Sequence, residues 1–387
     1  MRTYLDHNAT TSVRPSVIEA MSAVMAQTGN PSSVHADGQG AMARVETARR
    51  QVGKALCARP EDIVFTSGGT EALNLALHAA ISAGTVGRII VTAIEHEAVA
   101  ATAAASGLPV DVWPINDQGV VEIAWLAERL SSWSDRDGKP LLAMMLANNE
   151  IGTLQPVAEA TALVREVGGL SVVDAIQAVG KIAVDFAGIG CDYMAISAHK
   201  FGGPQGVGAL LASCDAPMAR HHHGGGQEKG RRAGTHNVAG IVGLATALDE
   251  AVATLDAFAA LAPHRDRMAA KLKTLSPELI EIGAGAPRLP NTLGLCQPGW
   301  PGATQVMALD LAGVAISAGS ACSSGTSKGS KIGTALGLSE AASQGFIRVS
   351  LGWNSKPDDA DAFIDAWSTA LARISPTLTP VPEEAVG

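Results

Sequence analysis

From about residue 60 onward, short runs of apolar and largely β-branched residues alternate with longer alanine-rich stretches. Asp62 to Thr66, Arg88 to Thr92, Val110 to Ile115, Leu141 to Ala147, Ser171 to Asp174, Tyr193 to Ser197 and Val207 to Leu211 read as strands. Continuous apolar runs of this length are what a sheet covered on both faces requires. Between them EALNLALHAAI and the stretches from about His96, Glu122 and Pro156 read as helices. Strands and helices in alternation predict βαβ units and a mostly parallel, mixed sheet flanked by helices. A helix from about Val238 to Phe258 follows, after which Pro263, Pro277, Pro287, Pro290, Pro298 and Pro301 break the rhythm. The expected organisation is an α/β large domain over 13–256 and a smaller α+β domain made of 1–12 and 257–387. The final SPTLTPVPEEAVG reads as an unpacked tail.

Composition narrows the class. With 387 residues, 47% hydrophobic and 17% charged, the chain has enough apolar content for one large or two ordinary domains and too little charge for a disordered one. Lys and Arg number 28 against 37 Asp and Glu, a net charge of −9, which disfavours nucleic acid as the main partner. The 42 glycines and 4% aromatics suit a glycine-rich enzyme with tight backbone approaches. No apolar run reaches the roughly 20 residues of a membrane span, and MRTYLDHNATT lacks the apolar core of a signal peptide. Five widely spaced cysteines (Cys57, Cys191, Cys214, Cys296 and Cys322) form no CxxC pair, so a reducing, cytoplasmic setting is expected.

Ligands in an open α/β sheet bind at the carboxyl ends of strands, so the residues that follow each strand carry the chemistry. DIVFT leads into Ser67-Gly68-Gly69-Thr70, a glycine turn opening a helix. It is either an ordinary turn with Thr70 as N-cap or a phosphate cup. RIIVTAI leads into His96, LLAMMLAN into Asn149, and LSVV into Asp174 with Gln177 beyond it. An Asp ending a buried strand calls for a cation or strong donors. DYMAIS leads into His199, Lys200 and a glycine-rich loop. Alone, Lys200 reads as a surface charge. Beside Asp174 and the glycine turn, it fits pyridoxal 5'-phosphate, which needs a Schiff-base lysine, a carboxylate at the pyridine nitrogen and a phosphate site.

Ten segments then line up in one order: YLDHNATT, GNPSSVH, IVFTSGGTEALN, EHEAV, NNEIGTLQP, VDAIQAVGK, SAHKFGGPQGVGAL, GGGQEKGRRAGTHNVAGIVG, SAGSACSSG and IRVSLG. Through them the chain resembles the NifS/IscS-type cysteine desulfurases, class V members of the fold-type-I pyridoxal-phosphate enzymes. The resemblance implies a homodimer. It also implies that Lys200 holds the cofactor and moves protons, that Asp174 pairs with the pyridinium, that Gln177 bonds the ring hydroxyl and that His96 stacks on the ring. Gly69, Thr70, Ser197 and His199 would hold the phosphate, with Thr235 contributed across the dimer interface. Asn149, beside the cofactor, would join Arg348 in binding the carboxylate of L-cysteine, and Cys322 would take its sulfur.

Cys322 lies in a Gly/Ser-rich loop, about 317–331, with Lys328 and Lys331 following. Nearby cations favour a thiolate, and small residues let a loop swing. The other four cysteines are expected to be packed structural thiols. The His221-His222-His223 run needs no metal, since the resemblance accounts for His223. SSGTSKGSK lacks the Glu-Pro pair of the long-loop subgroup, and the C-terminus lacks the longer tail of the IscS type. These departures count against the housekeeping iron–sulfur scaffold as the sulfur-acceptor protein, and the choice stays open among a nitrogenase-type cluster pathway, tRNA thiolation and a molybdenum-cofactor route. The rival readings are a selenocysteine lyase, a small-amino-acid transaminase and a cofactor-free binding protein.

Overall fold

A computed structural model describes residues 2–319 and 331–378 of the chain. Its strands are β1 (Thr3–Tyr4), β2 (Ile63–Thr66), β3 (Val86–Thr92), β4 (Val110–Trp113), β5 (Lys139–Met145), β6 (Leu170–Asp174), β7 (Tyr193–Ser197), β8 (Gly208–Ala212), β9 (Ile280–Ile282), β10 (Thr292–Cys296), β11 (Val314–Ala315) and β12 (Phe346–Ser350). Seven of them form one sheet in the order β2-β8-β7-β6-β5-β3-β4. Only β8 runs against its neighbours, so the sheet is mixed but mostly parallel, as the alternation predicts.

The apolar runs explain the layering. Because side chains alternate across a strand, Leu142, Met144, Val173, Met194 and Ile196 join one core while Leu141, Ala143, Val172, Tyr193 and Ala195 join the other. Helices Ala36–Ala55 and Val238–Ala253 cover the first face, and Gly69–Ser82 packs on the second. A separate antiparallel sheet, β12-β10-β9, builds a further core with helices Ala262–Leu275 and Pro357–Leu378. The N-terminal segment links the two: Asp6 bridges to Ser350 of β12, and the Thr11 N–H donates to the His199 carbonyl just after β7.

Three expectations change. The helix from Val238 ends at Ala253, and a shorter one, Leu255–Ala259, follows it. The last helix runs to Leu378, absorbing the start of the supposed tail, because Phe363, Trp367 and Leu371 seat it on the core. Cys191 and Cys296 are buried as expected, but Cys57 and Cys214 are exposed. Cys57 follows a helix end at φ 53°, and Cys214 lies in the turn after β8, so neither reaches a core. The Cys322 loop from Ser320 on and the end of the tail lie outside the described residues. Among the described residues no single helix is long and apolar enough to cross a membrane.

Candidate active site

Across the carboxyl edge of the large sheet, the strand ends bring polar groups to one cavity of about 320 Å³. Gly69, Thr70, His96, Asn149, Asp174, Gln177, Ser197, His199, Lys200 and Arg348 all line it. These are ten of the twelve residues singled out from the sequence. Of the other two, Thr235 is exposed and apart from this lining, and Cys322 is not among the described residues.

Each residue arrives by a local device. At the end of β2 the chain turns through Gly68 at φ 158° into helix Gly69–Ser82, whose N-cap is Gly68 rather than Thr70. A Cβ on Gly69 would lie 2.2 Å from Ile176 Cδ1, so any larger residue here would push that side chain aside, and glycine lets this helix start come close to the end of β6 without doing so. Free N–H groups at that start face an anion favourably. His96 caps helix Glu97–Ala105, its Nδ1 accepting from the Ala98 N–H at 3.0 Å. The capping role and the cavity position thus coexist. Lys200 sits in the 3-10 turn Ala198–Lys200 directly after β7 and donates to the carbonyl oxygens of Asn8 (2.7 Å) and Ala9 (2.8 Å).

The electrostatics separate two ends. Asp174 closes β6, and burial pushes its carboxyl above the usual range, while the Ile176 N–H (2.9 Å) and the charges of His96 and Lys200 pull it back. A buried acid in this condition is stabilised as an anion by a cationic N–H donor, the chemistry of a protonated pyridine nitrogen. Burial, with Lys200 and Lys181, pushes His199 down to about 4, so its ring is neutral at pH 7. Its Nδ1 lies 3.2 Å from Thr10 Oγ1. At the other end, on β12, Arg348 donates to Asp6 Oδ1 (2.6 Å) and the Asn149 carbonyl (3.0 Å), and its buried Nε has no partner among the described residues. An orphaned guanidinium donor beside a cavity suits a carboxylate ligand. The groups present therefore fit pyridoxal phosphate and an amino acid together.

Several residues that shape this site have no role in the sequence reading. Asn8 is buried and bonds in every direction. Its side chain meets Lys181 Nζ (2.7 Å), Asn291 Nδ2 (3.0 Å), Thr292 Oγ1 (2.8 Å) and the Asn149 carbonyl (3.1 Å). Its own carbonyl receives Gln177 Nε2 (3.0 Å) as well as Lys200. Glu95, behind His96, accepts from Thr92 Oγ1 (2.6 Å) and the Met145 N–H (2.9 Å), tying β3 to β5. Burial raises it to about 8. A lone lysine in the apolar run AVGKIAV was the available signal for Lys181. Nothing local marks Asn8.

Known proteins resemble this chain over nearly its whole length. The family model described as "Aminotransferase class-V" matches residues 3–363. An "IscS-like cysteine desulfurase" of Mycobacterium tuberculosis is 39% identical over 381 residues, covering 96% of each chain. A solved structure named "NIFS-LIKE PROTEIN" superposes with a TM-score of 0.88 at 35% identity, over 96% of this chain and 100% of its own. Another, "SspA in complex with cysteine", has a TM-score of 0.77 at 27% identity, over 90% and 98%. The fold and the near full-length identity place this chain in the class-V aminotransferase family, within its NifS/IscS-like cysteine desulfurase group.

Proposed function

We propose that the chain is a pyridoxal-phosphate-dependent cysteine desulfurase that releases L-alanine from L-cysteine and passes the sulfur, as a persulfide on Cys322, to an acceptor protein. The observation that carries this reading is the convergence of Lys200, Asp174 and Arg348 on one cavity at the sheet edge. When bound, the cofactor supplies an electron sink for the charge left at the substrate Cα. Lys200 would hold it, Asp174 would face its ring nitrogen, Gln177 its ring oxygen and His96 its ring. The turn at Gly69 and Thr70, with Ser197 and His199, would hold its phosphate. Thr235 of the partner subunit would complete that site in a homodimer, which its exposure here allows.

The chain's own groups then divide the work. Arg348 and Asn149 bind the substrate carboxylate and so fix which Cα bond faces the ring. Lys200 Nζ accepts the α-proton and returns a proton as the product forms. Cys322 Sγ, as thiolate, attacks the substrate sulfur; the new S–S bond forms as the Cβ–S bond breaks, the freed pair stays on Cβ and takes up the proton that the thiol gave up, and the carbon skeleton leaves as alanine. Two described anchors support the thiol's part. Ser317 pairs with Arg348 across a β-bridge just before the segment that holds Cys322, and Lys331, just after it, forms an ion pair with Glu97 beside His96. Burial raises the Cys296 thiol to about 12 and that of Cys191 further still, so neither competes as a thiolate. A reducing, cytoplasmic setting would keep Cys322 available. The persulfide would serve assembly of iron–sulfur clusters or another sulfur-containing cofactor.

Lys200→Ala is expected to abolish alanine formation and the visible absorbance that added pyridoxal phosphate produces; full turnover without Lys200 would overturn the reading. Cys322→Ser is expected to keep the absorbance response to L-cysteine while carrying no persulfide by intact mass. Keto-acid formation in place of alanine and sulfide would instead identify a transaminase.

A further inference from the structure

Lys181 is 3% exposed and is not among the residues lining the main cavity. The chain after β6 turns inward through Gly180 at φ 76°, where a Cβ would lie 2.5 Å from Phe201 Cβ, and this turn carries the lysine beneath the site. Its Nζ donates to Gln177 Oε1 at 2.5 Å and to Asn8 Oδ1 at 2.7 Å. Two amide oxygens are thereby committed as acceptors. Gln177 must then turn its Nε2 the other way, where one N–H meets the Asn8 carbonyl at 3.0 Å and the second is left for the cavity that Gln177 lines. The same Asn8 carbonyl receives Lys200 Nζ at 2.7 Å.

We propose that Lys181 is a positioning residue: it locks the side-chain amides of Gln177 and Asn8 so that Gln177 offers an N–H, and not its oxygen, to the ring oxygen of the bound cofactor. This rests on the cofactor reading above. An unrestrained glutamine could present either end, and an amide oxygen set against a phenolic oxygen would repel it. The site has no cheaper use for such a group. A buried amine is costly, and the charged groups that face Lys181 are the cations Lys200 and Arg348, with His7 close by. Burial and these cations hold its pKa well below the ordinary lysine value. Both lysines also border a small cavity of about 10 Å³ closed by Phe201, Phe258 and Trp353.

The test is a double-mutant cycle on the full chain loaded with pyridoxal phosphate, reading the cofactor's dissociation constant and its visible circular dichroism. Lys181→Met is expected to weaken cofactor retention on the order of tenfold and to change the dichroic band, since misplacing one contact group is felt at this scale. In a Gln177→Ala background the same change is expected to add no more than about twofold, because the two residues act as one unit. Losses that multiply, or a Lys181→Met band and retention like the wild type, would overturn the proposal. If Lys181→Met does not fold, Lys181→Gln, which is one atom shorter and brings an amide oxygen of its own among these acceptors, gives the same readings. A wild-type chain that binds no pyridoxal phosphate would overturn the cofactor reading itself, an outcome distinct from a normal wild type with an indifferent Lys181.

Discussion

Asp174, Lys200 and His96 each lie within four residues of the end of a strand of the large sheet, whereas Asn8, Asn291, Thr292, Ser350 and Arg348 reach the same space from distant parts of the chain. The first wall is built by repetition: every parallel strand delivers its next few residues to one edge. The second is built by convergence, with Asn8 at the centre bonding partners up to 342 positions away. The first wall can be altered one residue at a time. In the second, each group holds several others, so a single change spreads.

Asn8→Ala tests that contrast most severely. It is expected to cost about 3 kcal/mol of stability, because it strands buried partners including Lys181 and Asn291, and to lower turnover as well through Lys200 and Gln177. Thermal melts and steady-state kinetics on one preparation check both; a loss of stability with full turnover would show that the walls are independent. Arg348→Lys keeps the charge but loses the fork that meets Asp6 and the Asn149 carbonyl. A fall of about 100-fold in kcat/KM for L-cysteine is expected, with a smaller loss of stability than in Asn8→Ala.

Glu95→Gln probes the strand-end wall. Burial raises the Glu95 carboxyl from 4.5 to about 8, so folding takes up a proton between those values. Stability of the wild type should therefore fall as pH rises through that window, by up to about 1.4 kcal/mol per pH unit from this group. Urea unfolding at several pH values should show that slope reduced in Glu95→Gln, with the two proteins converging below pH 4.5. Lys331→Ala is the smallest expected effect. Its ion pair with Glu97 is exposed on both sides, and a change under about 0.5 kcal/mol is expected in the same assay.

The contrast also accounts for what could be read beforehand. Strands β2 to β8 are legible because most hold a short apolar run, with the alternating VDVW of β4 at the sheet edge, and the residues after them because the sheet fixes where they must lie. Lys200 and Asp174 gain meaning only as a pair, yet both sit on predicted strand ends. Asn8 has no such frame: its partners Thr292 and Ser350 belong to a second sheet whose short strands lie among prolines. Cys57 and Cys214 were misjudged for a related reason. Packing preference says that a cysteine is usually inside, but the turn after a helix or strand decides where a given one points. The Thr70 cap was misplaced because Gly68 supplies the turn without a side chain.

The bonds from Asn8 to Ser350 and from Asp6 to Arg348 also impose an order on synthesis. Asp6 and Asn8 must wait for Arg348 and Ser350 to be made, since both contacts span 342 positions. Domains form as units while a chain emerges, so the large sheet, with Lys200 and Asp174 in place, can assemble well before β12 exists. Until then Asn8 has neither Ser350 nor Thr292 to seat it, and the lysine that leans on its carbonyl has no fixed support. Lys200 is thus denied its final setting until β12 has joined the fold, so this wall of the cavity is completed last.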